Sequence, residues 1–365
     1  MKIPPPPFAR SRAMNRFVWP MRNRVVFAVC VALLAAGCLK RAAGPGLRWK
    51  LFSAFGARNM CPEMLKRSVP LKLNPTGNTV GRFFPNRCHY EVNGQSRTVT
   101  LHFTGTGYAW TPMAGRIGFL ADSSVEYAMD WRKAKKRHTY VWGRLVRIVY
   151  GPNFQIGGVE NKAVDWATHG TPVGYLVKNF GQQIVSSQLA QGFTVVHHPR
   201  QGDLFCAGIL QPPQLPPTPF NTSKGKRFVF ANETTEIHHG QVDFLGPFEI
   251  VKPDQTLLLR LRHASGPRIE AIIYPAGPAD AWREGLQKGA PLAPPPVAPI
   301  TGFPIDPNTE QYQRIKLNPG LYYVVIDNSS SVGVVNAPWS PLGVMGASVA
   351  VLSYSAELAD DKDVL

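Results

Sequence analysis

Hydrophobic and polar residues alternate with a period of two through much of the chain between residues 98 and 150. Apolar side chains stand at every second position in 99–103 and again in 125–131, and another strand-like run covers 140–150. A period of two is that of a strand with one buried face. The pattern therefore predicts an antiparallel sheet, whose last two strands form a hairpin with its tip near 133–138.

One segment of this first half has the pattern of a helix. Thr171 can cap its start, Pro172 suits the first helical position, and apolar residues recur on one face as far as Ile184. Gly192 can end the helix, and 193–197 starts another strand. We expect this helix to cover one face of the sheet.

The second half of the chain consists of short strand patterns separated by turns. Apolar alternation in 257–261 is followed by strand patterns at 269–274, 311–317, 321–327 and 348–355. A short helix is predicted near 280–287, and 291–304 is Pro-rich and predicted to be a long loop. A series of short strands with turns between them predicts a β-sandwich.

A Pro-rich stretch at 211–220 separates the two halves and is predicted to be an extended linker. It divides a basic α+β domain at 60–210 from a β-sandwich or jelly-roll domain at 221–358, which a short acidic tail at 359–365 follows. The fold class is therefore expected to be mainly β: an antiparallel sheet with one covering helix, then an all-β sandwich.

The second domain resembles a family of accessory modules. The segments that carry this resemblance are Phe248–Val251, Leu257–Leu259, Ile272–Pro275 and Asn318–Ile326. They are similar to the jelly-roll modules found after bacterial secreted peptidases, the pre-peptidase C-terminal domains, in which an "x-P-G-x-Y-x-V-x-V" stretch forms a late strand. The resemblance implies an accessory β-sandwich and no chemistry of its own.

Residues 1–37 have the features of an export signal. Arg22 and Arg24 precede an uncharged apolar run over 25–36. This run has the length of a signal-peptide apolar region, and it is shorter than the roughly 20 residues of an ordinary membrane span.

The true start of translation is expected inside this segment. Four consecutive prolines at 4–7 are unlike the start of a signal peptide, whereas Met21 stands directly before the basic residues. Met21, or else Met14, is therefore the predicted initiator.

The signal ends in Leu34-Ala35-Ala36-Gly37-Cys38, which resembles the lipobox of bacterial lipoproteins. In that family, small residues precede a cysteine that is diacylated and becomes the mature N-terminus. Ala35 departs from the pattern, because Leu is commonest at that place. The resemblance implies lipidation of Cys38. The alternatives are a plain membrane anchor and a conventional signal peptide with a coincidental cysteine.

Residues 38–59 contain Lys and Arg but no acid, and they are predicted to form a lipidated basic tether. Each charge near an anionic headgroup surface contributes about 1 kcal/mol to binding, although the stretch would serve equally as a solvated tether. Bacterial lipoproteins kept in the inner membrane often carry Asp after the cysteine, whereas Leu39 follows it here. The expected location is the cell envelope, with the outer membrane favoured over the inner.

The cysteines agree with an exported protein. Of five cysteines, Cys61, Cys88 and Cys206 lie in the body of the chain. An oxidising compartment permits a disulfide, and Cys61–Cys88 is the predicted pairing, with the other two pairings left open. Cys206 lies in an apolar strand-like run, which favours a buried thiol.

The formal charge of +17 is concentrated in the first half, and its densest part is the predicted hairpin tip. The basic residues there are Arg132, Lys133, Lys135, Lys136 and Arg137. Clustered cations attract the phosphates of lipid headgroups or lipopolysaccharide, and the flanking Trp131, Tyr140 and Trp142 are typical of membrane interfaces. The alternative is a solvated tip with its aromatics in the core. Nucleic acid is not expected as the partner of an exported chain.

The sequence contains no convincing catalytic or metal-binding motif. The pairs His197-His198 and His238-His239 each lie near an aspartate, but adjacent strand residues point to opposite faces. There is no metal-ligand spacing of the HExxH or CxxC type and no G-x-S-x-G elbow or nucleotide-binding motif. No cofactor and no metal are therefore expected.

These features together predict a non-enzymatic envelope lipoprotein with a structural or binding role. Its basic domain would contact anionic lipid or a membrane partner, and its β-sandwich would contact protein or glycan. One alternative is a lipid carrier, in which the sheet and helix of the first domain enclose an apolar cavity. The other is an envelope hydrolase acting on cell wall or polysaccharide, which requires converging acids or a histidine–nucleophile pair.

Overall fold

The structure of the protein is a computed structural model. It describes residues 46, 49–50, 52–73, 77–111, 114–134, 138–160, 186, 189–198, 202–214, 219–220, 228–295, 297–335 and 349–360. Contacts divide the chain into two compact units, Met1–Arg48 and Trp49–Leu365. All the elements described below belong to the second unit.

The described elements are a π-helical turn, two α-helices and a series of β-strands. They run in the order π-turn Phe52–Gly56, α1 Ala57–Leu65, β1 Val69–Lys72, β2 Thr79–Asn93, β3 Thr98–Thr111, β4 Gly115–Lys133, β5 Thr139–Val159, β6 Phe193–His198, β7 Gly202–Ala207, β8 Phe228–Ile237, β9 Gln241–Ile250, β10 Gln255–Ser265, β11 Ile269–Pro275, α2 Ala276–Gln287, β12 Thr301–Ile305, β13 Glu310–Lys316, β14 Gly320–Asn328 and β15 Ala350–Asp360.

The strands form two sheets, and the prediction of a mainly β fold is confirmed. The larger sheet has the order β13-β10-β15-β8-β2-β3-β4-β5-β6-β7, with β1 paired to β2, and the smaller has the order β12-β11-β14-β9. Pairing is antiparallel throughout except between β2 and β8, which meet in parallel at Thr79 and Thr235. The larger sheet thus draws strands from both sides of the predicted linker at 211–220.

The second half forms a β-sandwich. The inward-facing side chains of β10 and β15 alternate with outward polar ones, as in Leu257, Leu259 and Leu261, each at most 2% exposed. They share a core with the smaller sheet, including Ile273 and Ile326. Residues 317–319 connect β13 in the larger sheet to β14 in the smaller one.

In the first half, strands of 14 to 21 residues form β3, β4 and β5. One sheet face is filled by apolar side chains such as Phe103, Phe119 and Val125, and Trp49 and Phe52 cover it together with α1. The helix therefore begins inside the segment 38–59 that the sequence analysis treats as tether. The sequence pattern does not reveal it, because Pro62 stands inside the helix and proline disfavours a helix interior.

The covering helix predicted from Thr171 onwards falls largely outside the described residues. Ser186, Leu189 and Ala190 are helical, and Gly192 follows with a φ of +63°. A positive φ is typical of the residue that ends a helix.

A third core cluster joins the two halves. Phe84 and Tyr108 from the first half pack against Phe244 and Tyr323 from the second. Helix α2 lies on the same side of the long strands, because a side chain at Gly118 would overlap the backbone at the end of α2. Each half thus has its own core, within one compact unit.

Among the described residues, no helix has the length and apolarity needed to cross a membrane.

Candidate functional site

The basic hairpin tip is only partly described. Arg132 and Lys133 end strand β4 with exposed side chains, whereas Lys135, Lys136 and Arg137 lie outside the described residues. The hairpin itself is present as predicted, since β4 pairs with β5 as far as Lys133 and Thr139. The two described cations therefore stand in solvent at the end of β4, where β5 is also paired with β6.

The aromatic residues that flank this tip pack inside the protein and do not line a membrane interface. Tyr140 and Trp142 are 0% and 3% exposed and pack against Val196. The Trp142 indole N–H donates to the Leu210 carbonyl at 2.7 Å, and Tyr140 donates to a second backbone carbonyl. Their polar atoms are thereby satisfied by the chain segment after β7, which corrects the membrane-interface interpretation.

The predicted disulfide between Cys61 and Cys88 is confirmed. It links α1 to β2 on the apolar face of the long strands, and the two Cα atoms are 5.3 Å apart. The bond therefore holds the covering helix on its sheet. Cys38, the predicted lipidation site, lies outside the described residues.

The opposite face of the long strands carries an array of polar side chains that the sequence analysis does not single out. We call it the polar face. Register across β2, β3, β4 and β5 places its members in three rows: His89–His102–Ser124–Tyr150, Arg87–Thr104–Asp122–Asn153, and Glu91–Thr100–Glu126–Arg147. Neighbouring strands are about 4.8 Å apart and same-face residues about 6.8 Å, so the array spans about 14 Å in each direction.

The polar face exists because of strict alternation along each strand. Leu101 and Phe103 point into the apolar core, so His102 and Thr104 point to the other side. The same alternation places Cys88 toward the core and its neighbours away from it. Near α2 this second face is covered by the other half of the protein, and beyond α2 it is open to solvent.

The first row combines stacked histidines with an exposed tyrosine. The rings of His89 and His102 stack with centroids 6.0 Å apart. Tyr150, at the far end of the row, is 54% exposed. Between them the Ser124 hydroxyl is buried, and neither it nor the His102 Nε2 atom has a hydrogen-bond partner among the described residues. Buried polar atoms of this kind usually acquire a partner from water or a ligand.

The second row brings a carboxylate beside an amide. The Asn153 side-chain amide donates to Asp122 Oδ2 at 3.4 Å and also to the Tyr150 hydroxyl. Thr104 donates to the Asn86 side-chain oxygen at 2.9 Å. The row thus presents acceptors and donors side by side.

The third row is internally neutralised. Thr98 donates to Glu126 Oε1 at 2.6 Å, and Arg147 Nε donates to Oε2 at 2.7 Å. These two hydrogen bonds, in that order, hold the pKa of Glu126 below its ordinary value. The negative charge of this row is therefore already paired.

The histidine and aspartate of the second half have structural partners. His238 stacks on Trp110 with ring centroids 3.4 Å apart, and burial lowers the pKa of His238 to about 4. Asp243 receives two hydrogen bonds from Arg82, at 2.7 and 2.9 Å. Within the described ranges, no group of three or more His, Cys, Asp or Glu side chains is arranged to hold a metal ion.

Asp243 and Arg82 belong to a buried charged network between the two halves. Arg82 on β2 also forms an ion pair with Glu233 at 2.8 Å and donates to the Tyr354 hydroxyl, also at 2.8 Å. Tyr108 donates to Asp243 at 2.6 Å. Burial opposes ionisation of Asp243, but the charge and hydrogen bonds of Arg82 keep its pKa below the ordinary value. The network is buried from solvent and connects the two halves of the protein through polar contacts.

No family model matches the chain, and no curated protein matches it. Among solved structures, tripeptidyl peptidase 2 is similar at a TM-score of 0.23 and 10% identity, over 77% of this chain and 20% of that chain. This chain thus spans about a fifth of that peptidase. A structure of the infectious bursal disease virus Gx strain is similar at a TM-score of 0.17 and 12% identity, over 80% of this chain and 70% of that one. At these scores neither likeness carries a functional argument.

Proposed function

We propose that this protein is an exported binding protein of the bacterial cell envelope, held to a membrane by lipid on Cys38 and without catalytic activity of its own. The Cys61–Cys88 disulfide carries the proposal, because stable disulfides belong to oxidising compartments outside the cytoplasm. The lipobox-like Leu34–Cys38 sequence supports the anchor. Two acyl chains hold a protein on a membrane stably, whereas one gives only marginal binding.

The basic hairpin is proposed to rest on an anionic surface such as lipid headgroups or lipopolysaccharide. Arg132 and Lys133 are exposed at the end of β4, where their charges are accessible to such a surface. The β-sandwich of the second half is proposed to face outward and to bind an envelope protein or glycan.

Membrane fractionation tests the anchor. The full chain should remain in the membrane fraction after a high-salt wash, and Cys38→Ala should appear in the soluble fraction. Retention of Cys38→Ala after the same wash would contradict the lipid anchor, since salt screens the electrostatic attraction that would otherwise remain.

Vesicle binding tests the basic hairpin separately. With the anchor removed by Cys38→Ala, binding to vesicles containing phosphatidylglycerol should weaken about 30-fold on replacing Arg132 and Lys133 by Ser, at about 1 kcal/mol for each charge. The control replaces Arg314 and Lys316, which are exposed neighbours on one face of β13. Equal losses from both pairs would show that only total charge matters and would contradict a role for the hairpin.

A further inference from the structure

The polar face of the long strands has the composition of a binding surface for a neutral, hydroxyl-rich ligand. Its exposed aromatic member is Tyr150, which is 54% exposed and lies beside an irregular stretch of the β4–β5 pairing. An exposed tyrosine offers an apolar ring face and a polar hydroxyl group. The C–H groups on one face of a sugar ring can pack against such a ring.

Next to this ring lie groups that can bind neighbouring hydroxyls. Among the described residues, the one side-chain partner of Asp122 is Asn153, at the long distance of 3.4 Å. A carboxylate can accept several hydrogen bonds, and an amide both donates and accepts. Both hydrogens of the Asn153 amide are directed to Asp122 and Tyr150, so a ligand with adjacent hydroxyl groups can donate to Asp122 and to the Asn153 side-chain oxygen at the same time.

The polar face also contains buried polar atoms that make no hydrogen bond to any described residue. The Ser124 hydroxyl and His102 Nε2 are buried, with no hydrogen-bond partner in the part of the chain that the structure describes. They lie opposite each other in register between β3 and β4. Leaving such atoms unsatisfied costs about 1–3 kcal/mol each, so a ligand or water that reaches them is favoured.

The charges on the face do not favour an anionic ligand, because the acids Glu91, Asp122 and Glu126 outnumber the arginines Arg87 and Arg147. Glu126 and Arg147 neutralise each other at 2.7 Å, and Glu91 lies 3.7 Å from His102. Asp122 is the acid that stands beside the exposed tyrosine, and it would repel a phosphate or carboxylate. Hydroxyl groups without charge match this arrangement.

We propose that the polar face binds a neutral carbohydrate chain, with Tyr150 stacking on a sugar ring and Asp122 and Asn153 binding adjacent hydroxyls. The face is about 14 Å across, which is long enough for more than one ring. This inference adds a binding site on the first half that the proposed function does not assign, and it does not depend on lipidation of Cys38.

The test is affinity electrophoresis of the full chain, solubilised in detergent, in native gels that contain dextran, hydroxyethyl cellulose or glycol chitin. Polygalacturonate serves as the acidic comparison. At least one neutral polysaccharide should retard the protein, and Tyr150→Ala and Asp122→Ala should each weaken that binding at least tenfold. Tyr150→Phe, which keeps the ring, should retain most of it.

The matched control is Tyr312→Ala, which removes a tyrosine that is 66% exposed on β13 and should leave binding unchanged. Circular dichroism and thermal unfolding confirm that each variant is folded. Three results would overturn the inference: no retardation by any neutral polysaccharide, retardation by polygalacturonate alone, or equal binding by the Tyr150→Ala and native chains.

These outcomes are separate from those of the proposed function. An unacylated, soluble protein that binds a neutral polysaccharide would refute the anchor and leave this inference standing. An acylated membrane protein that binds no neutral polysaccharide would support the anchor and refute this inference.

Discussion

The buried network around Arg82 gives the sharpest prediction of stability. Arg82 and Asp243 have side chains that are 3% and 6% exposed, and Glu233 is 12% exposed. Replacing Arg82 by Met keeps an unbranched apolar stem but removes the only described positive charge that contacts both acids. The carboxylates of Asp243 and Glu233 would then lie between the two halves without a counter-ion.

The expected loss is about 3–5 kcal/mol in the free energy of unfolding, because removing one member of a buried ion pair leaves an uncompensated charge. Tyr354→Phe removes two hydrogen bonds, one accepted from Arg82 and one donated to Glu233, and should cost about 1–3 kcal/mol. The control is Arg268→Met, which breaks an ion pair whose side chains are 51% and 55% exposed and should cost less than about 1 kcal/mol.

Urea unfolding followed by circular dichroism measures these differences, with the slope against urea checked for constancy. The destabilisation by Arg82→Met should shrink on acidification, because burial without Arg82 raises the pKa of Asp243 and favours its neutral form. A loss no larger than that of Arg268→Met, or one that grows on acidification, would refute the reasoning.

Other predictions concern separate parts of the fold. Gly118→Ala should lower the free energy of unfolding by about 1–3 kcal/mol, because the added methyl group pushes α2 from the sheet. Gly277 has open space around it, so Gly277→Ala should not destabilise the protein. Chemical unfolding of both variants checks this. Burial raises the pKa of Asp327 to about 6, so the folded state binds this proton more tightly than the unfolded state does. The stabilisation by this proton is complete below about pH 4 and is lost as the pH rises through about 6. The melting temperature of Asp327→Asn should therefore depend less on pH than that of the native chain. An equal pH dependence in the two proteins would contradict this prediction. Replacing both Cys61 and Cys88 by Ser should cost about 3.5 kcal/mol, as expected for a separation of 27 residues, and a reductant should destabilise the native chain but not this variant.

Most of the strands could be predicted because their alternation is local. The patterns around Val99 and Val125 identify β3 and β4, and those at 311–317 and 321–327 identify β13 and β14. The sequence allows three pairings among Cys61, Cys88 and Cys206, and the preferred one, Cys61–Cys88, is present. Helix α1 could not be predicted, because its stabilisation comes from packing on the sheet and not from its own pattern.

The polar face could not be found from sequence because its members are brought together by strand register. His102 and Tyr150 are 48 positions apart, and each alone is an ordinary polar residue of a half-buried strand. The composition of these strands nonetheless contains a signal. The polar positions of β3 and β4 that face away from the apolar core are occupied by residues such as His, Thr, Asp and Glu, although Lys is equally acceptable on a strand that only faces solvent. The burial of Tyr140 also could not be predicted with certainty from its local pattern, because the segment after β7 that covers it is distant in sequence.

The most direct test of the central claim is intact mass spectrometry of the protein purified from its own membrane, beside Cys38→Ala. The account predicts a mature chain that begins at Cys38 and carries the added mass of acyl chains, with no such product from the variant. A chain cut elsewhere, or one beginning at Cys38 with no added mass, would contradict the lipid anchor on which the proposed function depends.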